Sequence, residues 1–207
     1  KANINMQDRV TVLLRACING YDEIVKQLIQ IGVDVNVKNS IGQTPLMYAC
    51  MYGYEGIVNQ LIATMVDVNA VDDFGTTALM RACLYGYDCI VEQLIAADVD
   101  VNATCLLPTE TATALILACG RGHVGIVDML IYANADVNAT TEDGETALMK
   151  ACVGGHETVV QRLLNAQADI SIVDRAGQTA FDIAKARGDI LLTNLLESTL
   201  TKMNSFT

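Results

Sequence analysis

The sequence predicts an all-α repeat solenoid of stacked helix-turn-helix units. Three observations carry this expectation. The first is a period. Cys17, Cys50 and Cys83 are 33 residues apart, Cys119 follows after 36 and Cys152 after a further 33. Gly20, Gly53, Gly86, Gly122 and Gly155 keep the same steps, and Asn36, Asn69, Asn102 and Asn138 close each period in an Asp-x-Asn setting. Self-similarity at this length marks a repeat architecture. The second is that each period holds two apolar stripes at helical spacing with a glycine between them. The third is the composition: 52% of the chain is hydrophobic, yet Gly, Asp and Asn break every apolar run well short of the roughly 18 residues of a membrane span.

Residues 71–103 show the unit. "VDDFG" reads as a turn, with Gly75 suited to positive φ. Thr77 is placed as an N-cap. Leu79, Ala82 and Cys83 make an apolar helical face, and Gly86 ends that helix. Asp88 opens a second helix, where a carboxylate suits the dipole. Ile90, Val91, Leu94 and Ile95 form its stripe, and "VDVNA" leads to the next turn. In the preceding unit Thr44-Pro45 puts proline in the first helical turn. The units run approximately 6–37, 38–70, 71–103, 104–139, 140–172 and 173–197, in one domain, with 198–207 as a polar tail. "CLLPTETAT" (105–113) is a three-residue insertion, with Leu106 and Leu107 exposed in one reading and packed on the finger's own base in the other. "ANIN" (2–5) reads as the close of an earlier unit, and no turn glycine precedes Thr11, so the first turn is expected to be short or irregular.

The stretches "GQTPLMYACMYGYEGIVNQLIATMVDVNA" (42–70) and "GETALMKACVGGHETVVQRLLNAQADI" (144–170) resemble the ankyrin repeat. The resemblance covers nearly the whole chain in about six units. It implies paired antiparallel helices with projecting β-hairpin fingers. The sequence departs from the family's Thr-Pro-Leu-His at Met47, Met80, Ile116 and Met149. Ala78, Ala114, Ala147 and Ala180 replace the proline. Tyr21, Tyr54 and Tyr87 stand where His123 and His156 stand later.

Helices pack about 8–10 Å apart, whereas a disulfide needs Cα atoms within about 7 Å and zinc needs ligands near 2.3 Å. The cysteine ladder is therefore expected to act as a small core hydrophobe, in place of the family's second alanine. "GRGHVG" (120–125) has the spacing of a dinucleotide loop but no preceding strand. His123 and His156 lack a third partner in sequence, and Cys89 has no histidine predicted beside it. No catalytic residue, cofactor or metal is expected, and the chain is not expected to be an enzyme.

Net charge is −11, which disfavours nucleic-acid binding. No membrane insertion and no signal peptide are expected. Seven cysteines without C-x-x-C spacing suit a reducing compartment, cytoplasmic or nuclear. The expected function is a non-catalytic scaffold, monomeric, that binds a protein partner; the alternative is a targeting or regulatory segment of a larger enzyme. The resemblance implies contacts along the concave inner-helix groove and finger tips. On these positions lie Arg15, Tyr48, Met51, Tyr52, Phe74, Arg81, Leu84, Tyr85, Leu117, Arg121 and Lys150. Arg and Tyr are enriched among interface hot spots, and the cations there contrast with an acidic outer-helix face.

Overall fold

The structure, a computed structural model, describes residues 6–107 and 110–204, with side chains from 11 to 106 and 111 to 201. The chain divides into two compact units, Lys1–Cys105 and Leu106–Thr207. In the first, α1 (Met6–Asn19) pairs with α2 (Asp22–Gln30), α3 (Pro45–Tyr52) with α4 (Glu55–Ile62), and α5 (Ala78–Tyr85) with α6 (Asp88–Ala96). In the second, α7 (Ala114–Arg121) pairs with α8 (Val124–Tyr132), α9 (Ala147–Gly154) with α10 (Glu157–Asn165), and α11 (Ala180–Arg187) with α12 (Ile190–Asn204). Inner helices pack side by side, α1 on α3 on α5 and α7 on α9 on α11. Outer helices do the same, α2 on α4 on α6 and α8 on α10 on α12.

Local chemistry sets each boundary. Thr44, Thr77, Thr113, Thr146 and Thr179 cap the inner helices, each Oγ1 accepting from the N–H three residues on at 3.2–3.3 Å. Gly53, Gly86, Gly122, Gly155 and Gly188 close them in the left-handed region, with φ between 72° and 80°. Leu79, Ala82, Cys83, Ile90, Val91 and Leu94 are fully buried, as the apolar stripes require, while Ile95 is only half-buried. Cys17, Cys50, Cys83, Cys119 and Cys152 are all free thiols with no exposed surface. Burial pushes the thiols of Cys17 and Cys152 up to about 12 and raises those of Cys50 and Cys119 as well.

Adjacent repeats are tied by the period-closing asparagines. Asn36 Oδ1 accepts from Asp67 N at 2.7 Å, Asn69 Oδ1 from Asp100 N at 2.7 Å, and Asn138 Oδ1 from Asp169 N at 2.8 Å. The aspartate two residues before each asparagine caps that asparagine's own N–H.

The fingers are short hairpins closed by one turn bond: Asp72 N donates to Thr76 O and Asp174 N to Gln178 O, and Thr140 and Thr146 make an antiparallel bridge. Among the described residues regular strands form only in the insertion, where β1 (Thr104–Leu107) and β2 (Glu110–Thr113) make a two-stranded sheet. The short arms elsewhere leave room for little beyond the turn bond, and the three extra residues lengthen the arms. Two expectations, both at the ends of the chain, are corrected. At the start, the irregular first finger is instead helix, since α1 begins at Met6; residues 2–5 lie outside the described residues. At the end, the expected polar tail continues α12 to Asn204, with Ser198 and Thr199 hydroxyls bonding back to Leu195 O and Thr201 to Glu197 O. The last repeat also exposes Ile190 and Leu191, so its outer face is not wholly polar. Leu106 is exposed, and the side chain of Leu107 lies outside the described residues.

Candidate functional site

Three side chains that follow a helix-turn glycine, and one that precedes its glycine, reach back onto the preceding repeat. The Tyr54 ring lies over Gly20, Tyr87 over Gly53, His156 over Gly122 and the Arg187 guanidinium over Gly155. A Cβ on these glycines would come within 2.6–2.8 Å of the covering group. The turn therefore needs glycine for its positive φ and again for its neighbour's side chain. Three of these side chains donate to one equivalent carbonyl: Tyr54 Oη to Ile18 O at 3.5 Å, His156 Nε2 to Gly120 O at 3.1 Å, and Arg187 Nη1 to Val153 O. This gives His156 a structural role and places Gly122 of "GRGHVG" at a helix C-terminus, preceded by α7 rather than a strand.

The inner-helix face of the first unit carries the aromatic candidates. Tyr52 and Tyr85 occupy equivalent last-turn positions on α3 and α5 and remain 43% and 46% exposed. Tyr52 is braced from both sides. It stacks on Tyr48 with ring centres 6.4 Å apart and planes 9° from parallel, and Tyr54 lies 6.1 Å away. Tyr85 rests against Tyr87 at 6.3 Å. Met51 and Leu84 beside them are half-buried, and Phe74 and Ile41 are exposed on neighbouring finger tips. Rings held this way lose little rotamer freedom on contact.

The inner-face cations are less available than the sequence implies. Arg81 Nη2 pairs at 3.0 Å with Asp72 Oδ2, whose side chain has no exposed surface. Lys150 Nζ pairs with Glu145 Oε2 at 2.5 Å. Tyr48 Oη donates to Gln43 Oε1 at 2.7 Å and accepts from Asn39 Nδ2 at 3.0 Å. These three side chains occupy one repeat position, and each is bound to the base of its own finger. Asp72 stands nine residues before Arg81 and Glu145 five before Lys150, so the two acceptors come from different positions of the finger. Arg187 and Lys185 are also engaged, the latter 5.9 Å above the Phe181 ring. Arg15 and Arg121 are exposed. In the second unit the candidates Leu117, Arg121 and Lys150 are accompanied by exposed Val153, and no tyrosine stands at the positions of Tyr52 and Tyr85.

No group of three or more His, Cys, Asp or Glu among the described residues is placed to hold a metal ion. The ladder thiols are buried, and burial raises those of Cys17, Cys50, Cys119 and Cys152, whereas an activated nucleophile has a lowered one. Cys89 is exposed on α6. No described helix is long and apolar enough to cross a membrane.

Comparison with known proteins agrees with this architecture. The model of the family described as ankyrin repeats (3 copies) matches residues 13–105, 53–141, 79–174 and 115–202. The chain belongs to the ankyrin-repeat family and adopts its all-α solenoid fold. An ankyrin repeat domain from Acinetobacter baumannii AYE, ABAYE2397, is similar at 29% identity and TM-score 0.82, over 90% of this chain and 96% of that one. The human ASB11 ankyrin repeat domain is similar in fold, at 24% identity and TM-score 0.81, over 90% and 82%. A chain from the complex of the predatory endopeptidase Bd0816 of Bdellovibrio bacteriovorus with the immunity protein Bd3460 matches at 28% identity and TM-score 0.78, over 90% and 97%. No curated protein sequence matches significantly. Ankyrin repeats are in general protein-interaction modules.

Proposed function

We propose that this chain is a non-catalytic module that binds a protein partner through its inner-helix face and finger tips, as a monomer in a reducing intracellular compartment. The observation that carries the reading is the pair Tyr52 and Tyr85, exposed and braced by neighbouring rings, at positions the core does not use. Tyrosine supplies large contact area at low entropic cost and is enriched among hot spots. Similarity to a chain of a protein–protein complex supports the class of function. The test begins with capture of binding proteins on the intact chain and titration of the captured partner. Tyr52→Ala with Tyr85→Ala should weaken binding at least about tenfold, the loss expected of hot-spot residues, with the melting temperature nearly unchanged. Unchanged affinity would move the site to the fingers or the outer face.

A further inference from the structure

Three inner helices hold their central polar side chain with an acceptor from their own finger: Gln43 for Tyr48, Asp72 for Arg81 and Glu145 for Lys150. Arg15 occupies the same position on α1, 33 residues before Tyr48. Its repeat has no finger, because the segment that would form one is the first part of α1. Among the described residues no carboxylate pairs with the Arg15 guanidinium. In front of it lies an open pocket of about 390 Å³. Leu14 and Ile18 supply apolar surface to it, and Arg15, Lys38, Ser40 and Tyr48 complete its walls. Lys38 Nζ donates to the Val71 carbonyl at 2.9 Å, and no carboxylate among the described residues pairs with it.

Two cations with no carboxylate partner among the described side chains therefore share one cavity in a chain of net charge −11. Elsewhere Arg81, Lys150, Arg162 and Arg175 each have a carboxylate within 3.4 Å. A cleft lined by one sign of charge draws its complement. Its apolar surface suits a side chain beside that charge better than a small free anion. We infer that this pocket takes an Asp or Glu side chain, with an adjoining apolar residue, from a peptide segment of the protein partner, which supplies the acceptor that the missing finger does not. The inference rests on the reading of the chain as a protein-binding module and adds an anchor at its first repeat, separate from the tyrosine pair.

The experiment is selection of a phage-displayed random peptide library on the intact chain, followed by fluorescence anisotropy with the enriched peptides. Enriched sequences should share an acidic residue next to an apolar one. Affinity should fall about tenfold or more with Arg15→Glu, since like charges across a contact are strongly disfavoured. A clear fall is also expected with Arg15→Gln and with Gln or Asn in place of the peptide acid. Lys26→Glu, on the exposed face of the outer helix α2, should leave it unchanged, and added salt should weaken it. Circular dichroism checks that each variant is folded. Peptides lacking an acid, acidic peptides indifferent to Arg15→Glu, or no enrichment would each overturn the inference. Peptides sensitive to Tyr52→Ala and Tyr85→Ala but not to Arg15→Glu would sink the pocket and leave the tyrosine surface standing. The reverse pattern would do the opposite.

Discussion

His156 Nε2 donates to the carbonyl oxygen of Gly120, 36 residues upstream, at 3.1 Å. Facing a carbonyl, that nitrogen carries the proton. The same ring fills the space that the hydrogen-only side chain of Gly122 leaves open. One side chain thus ties α10's start to the last turn of α7. Tyr54 and Arg187 perform the same task with a phenol and a guanidinium. The geometry asks for a donor on a long or planar side chain, which is why three residue types serve.

His156→Ala should therefore destabilise the chain by about 1–2 kcal/mol, from one lost hydrogen bond and the packing it carried. His156→Tyr should be milder, since Tyr54 and Tyr87 occupy equivalent positions. Urea melts of the three proteins check this. A neutral His156→Ala would show the tie to be dispensable.

The Asp72 side chain organises its own finger and the helix that follows it. Its Oδ1 accepts from Phe74 N at 3.0 Å and Thr76 N at 2.8 Å, and its Oδ2 holds Arg81. Asp72→Ala removes all three bonds and leaves a half-buried guanidinium without its partner. The expected cost is about 2–4 kcal/mol. Asp72→Asn should cost clearly less, because Asn39 makes the same two backbone bonds one repeat earlier, to Ile41 N and Gln43 N. Thermal unfolding of both variants decides it, and equal losses would mean that the charge, not the turn, dominates.

The period made most of this legible. Caps, turn glycines and buried stripes recur every 33 residues, so one unit read correctly gave the rest. What the sequence hid lies where a repeat departs from its neighbours. Proline-free, glycine-free residues 190–204 extend α12 through hydroxyl back-bonding, which a polar composition disguised as a tail. The pairing of Arg81 and Lys150 with their own fingers was hidden because charge counting along helices ignores the turn nine or five residues upstream. Lys38 was passed over because no helix carries it, and the pocket it shares with Arg15 exists only once α1 and the next finger are placed together.

The thiols give a pH prediction. Burial disfavours thiolate, raising Cys17 and Cys152 from 9.0 to about 12. A raised acid binds its proton more tightly when folded. Its stabilising contribution is complete below pH 9 and is lost as pH rises toward 12, where the unfolded chain releases protons that the folded chain retains. Each such thiol adds a slope of about −1.4 kcal/mol per pH unit in that window. Cys17→Ala with Cys152→Ala should flatten the fall in stability between those pH values. In the native protein at pH 8, a thiol reagent should modify exposed Cys89 rapidly and the five ladder thiols only on unfolding. Rapid labelling of several ladder thiols without denaturant would refute the buried assignment.

Gln167 offers the opposite kind of test, a gain of stability from a smaller side chain. It follows α10 with φ of 63°, in the left-handed region, as Asp98 and Asn134 do at 61° and 63° after their own outer helices. In the first repeat the residue after α2 at this position is Gly32, with φ of 73°. Gln167 is exposed and closes the helix through its backbone N–H to Leu164 O at 3.0 Å, a bond glycine keeps. A non-glycine residue there costs about 1–2 kcal/mol, against about 0.5–1 kcal/mol of extra chain entropy that glycine surrenders on folding. Gln167→Gly should thus stabilise the protein by about 0.5 kcal/mol or slightly more. Asp98→Gly should gain less, because a short polar side chain tolerates this conformation. Gly32→Ala is the converse control: a Cβ there meets no atom within 4 Å, so any loss is backbone strain alone. Calorimetric melting of the three variants should show one rise, one small change and one fall. A fall for Gln167→Gly would mean that its side chain, not its backbone, sets the stability of that helix end.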